Sequence, residues 1–210
     1  MRDGRLLVIG AGGHGRVAAD CARATGTWPR IAFLDAGWPG LQTSGCWPVI
    51  GSDGDAISVL HASDEVFVAI GRSAPRRAWV QRLAEAGRIV ATIRHPATIV
   101  SPNVEIGAGT LIVAGAVINI GTRIGSACIV NTGATIDHDC SIADGVHVCP
   151  GAHLAGDVKV GKDSWIGIGA SIRHGITIGA GVTVGAGAAV VADLPDGVTA
   201  VGVPARPLRR

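Results

Sequence analysis

The 210-residue sequence has no tyrosine, two phenylalanines and one methionine, and aromatic residues make up only 3% of it. A core built on ring packing is excluded, so aliphatic and small side chains must fill the interior. Charge of one sign is lacking too: 18 Lys+Arg against 16 Asp+Glu leave a formal +2, and no nucleic-acid partner is expected. No run of about 18 uncharged apolar residues occurs, and the N-terminus carries no basic region, apolar stretch and small-residue cleavage site. No membrane association is therefore expected, and the cytoplasm is the expected location. Cys21, Cys46, Cys128, Cys140 and Cys149 are odd in number and have no C-x-x-C spacing. They argue against a disulfide framework or structural zinc and read as small core or surface residues; no metal is expected.

Glycine and aliphatic residues are abundant instead, with 32 glycines and 48% hydrophobic residues. Ile, Leu or Val stands at every sixth position from Val100 to Val190 without a break. A period of six fits neither a helix nor a simple strand. It fits a β-solenoid of three short strands per coil, each giving one inward aliphatic residue. Small residues such as Thr110, Ala116, Thr122, Cys128 and Ala134 follow four positions later, as a narrow prism requires. Glycine often follows the aliphatic residue directly, as at Gly107, Gly125, Gly161, Gly167, Gly179 and Gly185, and is expected to supply a turn through its free φ.

Residues 1–95 read differently, as a Rossmann-like α/β domain. Leu6–Ile9 suits a buried parallel strand, a helix runs through about Ala24, strands are expected at Ile31–Leu34 and Val66–Ile70, a helix at 75–86 and a fourth strand at Ile89–Ile93. The segment Ala36–Val49 carries no readable pattern. The organisation expected is thus an α/β domain at 1–95, a parallel β-helix at 96–194 and a polar tail at 195–210.

Gly10-x-Gly12-x-x-Gly15 follows the first strand and opens the first helix, and Asp35 ends the second strand twenty positions after Gly15. Such a turn lets an anion approach backbone N–H groups at a helix N-terminus, and the acid can accept from a ribose or base. The ~95 residues before the repeats are short for a complete dinucleotide fold. A nucleotide-linked metabolite is favoured over NAD, with a purely structural turn as the bland alternative.

On the solenoid, one coil of eighteen residues stacks His138 under Gly156, so the imidazole faces a backbone without a side chain. Asp139 beside it would raise the basicity of His138 and help fix its tautomer. The competing reading makes His138 and His147 solvated corner residues. Metal ligation by His138, Asp139 and His147 lacks supporting spacing. His147 lies half a coil away and could meet His138 only around a corner or across a subunit boundary. His174 falls on the same corner column as His138, and its role is left open.

These residues resemble the hexapeptide-repeat acetyltransferases with a left-handed parallel β-helix. Within them, the sequence is similar to the sialic acid O-acetyltransferases and to the UDP-4-amino-sugar N-acetyltransferases of the bacillosamine pathway. The likeness rests on Gly12-Gly13-His14-Gly15, Phe33-Leu34-Asp35, Ala69-Ile70-Gly71, Asn131-Thr132, His138-Asp139, Ala155-Gly156 and Gly202-Val203-Pro204-Ala205-Arg206. The resemblance implies a homotrimer with active sites between adjacent β-helices, acetyl-CoA as co-substrate, and a nucleotide-sugar held by the N-terminal domain. It implies His138 as general base and Asp139 as its acidic partner. His147 would contact the thioester region, Ile168 and Ala186 the pantetheine arm, and the Gly156 N–H the oxyanion. Gly12, Gly13, His14, Asp35 and Gly71 match the nucleotide-sugar positions. Three departures stand out: Asp139 replaces Glu, Ala36 replaces a second acid, and Ala186 replaces Gly. The implied reaction is N-acetylation of a 4-amino-sugar; O-acetylation of a sugar hydroxyl and a non-catalytic nucleotide-sugar-binding trimer are the alternatives.

Overall fold

Leu6, Leu7, Val8 and Ile9 form an unbroken apolar run that must be covered on both faces. In the computed structural model all four are fully buried in β1 (Arg5–Ile9). The structure describes residues 4–61 and 63–208, and the chain divides into two units, Met1–Pro96 and Ala97–Arg210.

In the first unit β1 is flanked by parallel β2 (Arg30–Leu34) and β5 (Glu65–Val68). The outer strands are β3 (Thr43–Ser44) and β4 (Trp47–Gly51) beyond β2, and β6 (Ile89–Val90) beyond β5. Helix α1 (Gly13–Thr25) buries Ala18, Ala19, Cys21 and Ala22 and stops at left-handed Gly26, whose N–H bonds the Arg23 carbonyl. A short α2 (Ala56–Val59) precedes β5, and α3 (Ser73–Glu85) follows it. Two expectations need correction. The segment without readable pattern contains the β3–β4 hairpin, turned at Gly45 with φ 61. Its signal is Trp47, whose ring meets Phe33 edge-on at 6.1 Å. The fourth strand ends at Val90; Ile93–Arg94 is a separate short strand.

In the second unit each aliphatic repeat residue ends a two-residue strand and pairs with its counterpart one coil on. Val100, Ile118, Ile136, Leu154, Ile172 and Val190 form one inward ladder. Ile106, Ile124, Ile142, Val160 and Ile178 form a second. The third runs Ile112, Val130, Val148, Ile166 and Val184. This is a parallel β-helix of three faces, its core filled by these residues and by small ones such as Ala116, Cys128, Ala134 and Cys140. Hydroxyls at the same inward positions stitch the coils together: Thr122 Oγ1 donates to the Asp137 carbonyl at 2.7 Å and accepts from Cys140 N–H at 3.1 Å.

The glycines that follow the aliphatic residues have a different reason from the one expected. Their φ values are not positive; a Cβ at Gly107 or Gly161 would lie 2.5 Å from backbone of the next coil. The left-handed turn falls two positions later, unbroken from Gly109 to Gly187, with only Ala127, Asp139, Asp157 and Asp163 standing in for glycine. The polar tail expected at 195–210 is also corrected. Thr199–Val201 pairs in parallel with the strand at Thr183–Val184, and Arg206–Pro207 folds back antiparallel on it. Ala200 and Ala205 are buried there and close the open end of the core.

Candidate active site and ligand-binding surfaces

Between inward Ile136 and inward Cys140 the chain turns a corner through Asp137, His138 and Asp139. The left-handed position belongs to Asp139, at φ 59, a conformation that short polar Asp tolerates better than most residues. Its N–H bonds the Ile120 carbonyl at 3.0 Å, and Gly121 on the preceding coil leaves room for the carboxylate, which a Cβ there would strike. Asp139 Oδ2 therefore reaches His138 Nδ1 at 2.9 Å. Asp137 is fixed from the other side by the Asn119 side-chain amide at 2.8 Å and by the His138 N–H at 2.9 Å. Those two donors, Asn119 first, hold the Asp137 carboxyl below its ordinary pKa.

His138 is pushed above the ordinary imidazole value, first by the bond to Asp139 and then by the nearby Asp137, Asp139 and Asp157 carboxylates. With Nδ1–H donating to Asp139, Nε2 carries the lone pair. The structure brings His138 against Gly156 as the eighteen-residue stack requires: a Cβ on Gly156 would lie 2.5 Å from both Cε1 and Nε2. The cysteines nearby are poor nucleophiles. Cys140 donates its thiol to the Ala155 carbonyl, and its pKa is raised, chiefly by burial; burial pushes the Cys149 thiol up to about 12.

His147, Ile168 and Ala186 are brought together on another part of the prism, where they line a groove of about 410 Å³ with Asn131, Cys149 and Trp165. Gly156 and His138 are not among its lining residues. His147 is buried; its Nε2 lies 3.1 Å from the Asn131 amide nitrogen, which donates to it and leaves the imidazole proton on Nδ1. Its ring packs on Trp165 at 4.2 Å between centroids. Trp165 escaped the sequence reading although it stands one coil after His147 in the same outward column. The walls are mostly apolar, and Gly167 and Gly185 line them without side chains. A long, thin chain carrying amides, such as a pantetheine arm, fits that chemistry.

In the first unit the predicted residues gather at the carboxyl ends of β1, β2 and β5. Gly12 caps α1, and a Cβ on Gly12, Gly13 or Gly71 would meet nothing within 4 Å, so the surface above them is open. Gly15 has no such freedom, since a Cβ there would strike the Gly10 carbonyl. Asp35 has a local task that the sequence did not reveal: Oδ2 accepts from Ala11 N–H at 2.7 Å and Oδ1 from Gly37 N–H at 2.9 Å, pinning the glycine turn. His14 is half-buried, and burial together with the Arg76 guanidinium lowers its pKa to about 4. Arg76 is fully buried in α3 and was not foreseen, because a basic residue in Arg72-Ser-Ala-Pro-Arg-Arg77 reads as solvated helix surface. Among the described residues no group of three His, Cys, Asp or Glu could hold a metal, and no helix is long and apolar enough to cross a membrane.

An α/β domain with a glycine turn, joined to a hexapeptide β-helix, defines the class of hexapeptide-repeat acyltransferases. Family models agree: the PglD N-terminal domain matches residues 5–83 and the bacterial transferase hexapeptide (six repeats) matches 157–192. Among solved structures, the acetyltransferase domain of PglB from Neisseria gonorrhoeae is 43% identical with TM-score 0.94, over 97% of this chain and 99% of that one; the same domain has been solved with acetyl coenzyme A. PerB from Caulobacter crescentus, in complex with CoA and GDP-perosamine, is 38% identical with TM-score 0.92 over 98% of each chain. WeeI from Acinetobacter baumannii is 33% identical with TM-score 0.89, over 97% of this chain and 99% of that one. No curated protein sequence matches the chain. The chain belongs to the PglD-type family of hexapeptide-repeat sugar acetyltransferases. It is an acetyltransferase with acetyl-CoA as co-substrate.

Proposed function

We propose that the enzyme acetylates the 4-amino group of a nucleotide-linked amino-sugar, with His138 as general base and no covalent acyl-enzyme. The observation that carries this reading is the His138 imidazole, tied through Nδ1 to Asp139 at 2.9 Å and resting against Gly156. Acetyl-CoA supplies an activated acyl carbon. As the amine nitrogen bonds to that carbon, His138 Nε2 takes the proton the amine loses; the C–S bond breaks and the thiolate leaves, to be protonated as free CoA. The Gly156 N–H, which bonds no acceptor among the described residues, is the proposed oxyanion donor. Gly12, Gly13, His14, Asp35 and Gly71 would hold the nucleotide-sugar, and His147, Ile168 and Ala186 the pantetheine arm.

The base and the groove at His147 lie on different parts of the prism, so one chain does not join them. A homotrimer that sets one copy's groove beside the next copy's His138 answers this, and light scattering tests it. The cytoplasm is the proposed site of action. The Caulobacter enzyme with one histidine replaced by alanine still holds CoA and GDP-perosamine, which supports a base whose loss spares binding. The test is thiol release from acetyl-CoA with a panel of UDP-, dTDP- and GDP-linked 4-amino-sugars. Turnover with one acceptor is expected, falling about 10²–10⁴-fold in His138→Ala. A base-labile ester as the only product would replace this reading by O-acetylation, and no thiol release with any sugar would remove it.

A further inference from the structure

Arg76 has no solvent exposure, yet it sits in α3, one turn from the loop that carries Gly71. Its Nη1 donates to two successive carbonyls, Ile70 O at 2.8 Å and Gly71 O at 2.7 Å. In a planar trans peptide the N–H points opposite to the C=O. Two carbonyls drawn down onto one guanidinium therefore turn the N–H groups of Gly71 and Arg72 away from it. Neither N–H bonds an acceptor among the described residues, both residues are exposed, and the space where a Gly71 Cβ would stand is open. Two N–H groups turned to the same open side at a strand's carboxyl end can both donate to an anionic oxygen. β5, which leads into this loop, is the direct neighbour of β1, which leads into Gly12 and Gly13.

We infer that Arg76 is a positioning residue of the nucleotide-sugar site, holding the Gly71 and Arg72 N–H groups outward from below as donors to a substrate oxygen of the diphosphate class. It touches no substrate itself. The same guanidinium acts on His14 at the start of α1, where burial first and then this charge keep the imidazole neutral near neutral pH. One cation thus sets the direction of two backbone donors and adds to the burial that keeps a third polar group neutral beside Gly12 and Gly13. The inference rests on the nucleotide-sugar reading above.

The experiment compares wild type, Arg76→Met and Arg76→Lys in two readouts. Lysine keeps the charge, but its ammonium rotates freely on a flexible stem and does not fix the direction of two bonds as the planar Nη1 of Arg76 does, and it serves as the variant best able to fold. Steady-state kinetics with the accepted nucleotide-sugar should show KM for the sugar rising about 10- to 100-fold in both variants. KM for acetyl-CoA and kcat should stay near wild type. The His14 ring proton, followed by NMR against pH, should titrate near 4 in wild type and in Arg76→Lys, and higher in Arg76→Met. Folded variants with a wild-type KM for the sugar overturn the inference while the substrate reading stands. A wild type that accepts no nucleotide-sugar overturns the substrate reading itself. A general loss in which kcat and both KM values fail together assigns Arg76 to the fold alone and also overturns it.

Discussion

His138 and His14 are the same side chain placed in opposite surroundings, one at a β-helix corner and the other at the glycine turn of the α/β domain. His138 is exposed, bonded to Asp139 and close to three carboxylates, and its pKa is raised. His14 is half-buried beside the Arg76 guanidinium, and its pKa is lowered to about 4. One imidazole is prepared to accept a proton near neutral pH; the other stays neutral and can serve only as a hydrogen-bonding group. The chemistry of each follows from its neighbours, which are set by whether the corner carries acids or the loop covers an arginine.

Gly156→Ala should break the first half of this contrast most severely after loss of His138 itself. The new methyl would lie 2.5 Å from Nε2, so the ring must swing away, and kcat should drop about 10²-fold while acetyl-CoA binding persists. Asp139→Gly sharpens the contrast more gently. Glycine is the usual occupant of this left-handed corner, and Asp139 holds it at φ 59; the variant should not melt at a lower temperature, yet kcat/KM should fall about tenfold. Smaller again is the effect of His14 on stability. The fold resists its protonation, so stability is full above the unfolded value of 6.5 and declines as pH falls toward 4, by about 3 kcal/mol at most. Denaturant unfolding of wild type and His14→Gln between pH 7 and 4 (a window of about 3 pH units) should show the steeper decline in wild type, the remainder common to both coming from carboxyls such as Asp64 and Asp137. Least of all, Cys140→Ala combined with Cys149→Ala should keep kcat within about twofold, since both buried thiols have raised pKa values.

The two regions also differ in how much the sequence disclosed. In the β-helix every coil repeats the same three inward positions, so Val100 to Val190 could be read off a period of six, and stacking of His138 under Gly156 followed from the eighteen-residue coil. Where the period slips, legibility ends: the strand at Thr199–Val201 pairs sixteen rather than eighteen residues after the one at Thr183–Val184, and it passed for a tail. The glycines were located but misread, because free φ and a missing Cβ are properties of one residue. Gly107 is needed for close approach of the next coil and Gly109 for its left-handed φ. In the α/β domain the glycine turn and Asp35 were visible. Arg76 was not, because its burial depends on a loop five residues away folding back over it, and no local pattern records that.

Whether His138 is a base strengthened by Asp139 is read from the pH dependence of kcat/KM for thiol release in wild type and Asp139→Asn. The wild-type profile should lose activity with falling pH through a single ionisation above the ordinary imidazole value of 6.5. In Asp139→Asn that acid limb should move to lower pH, since the largest cause of the raised value is removed. An acid limb at the same pH in both enzymes would mean that the titrating base is not the imidazole that Asp139 holds.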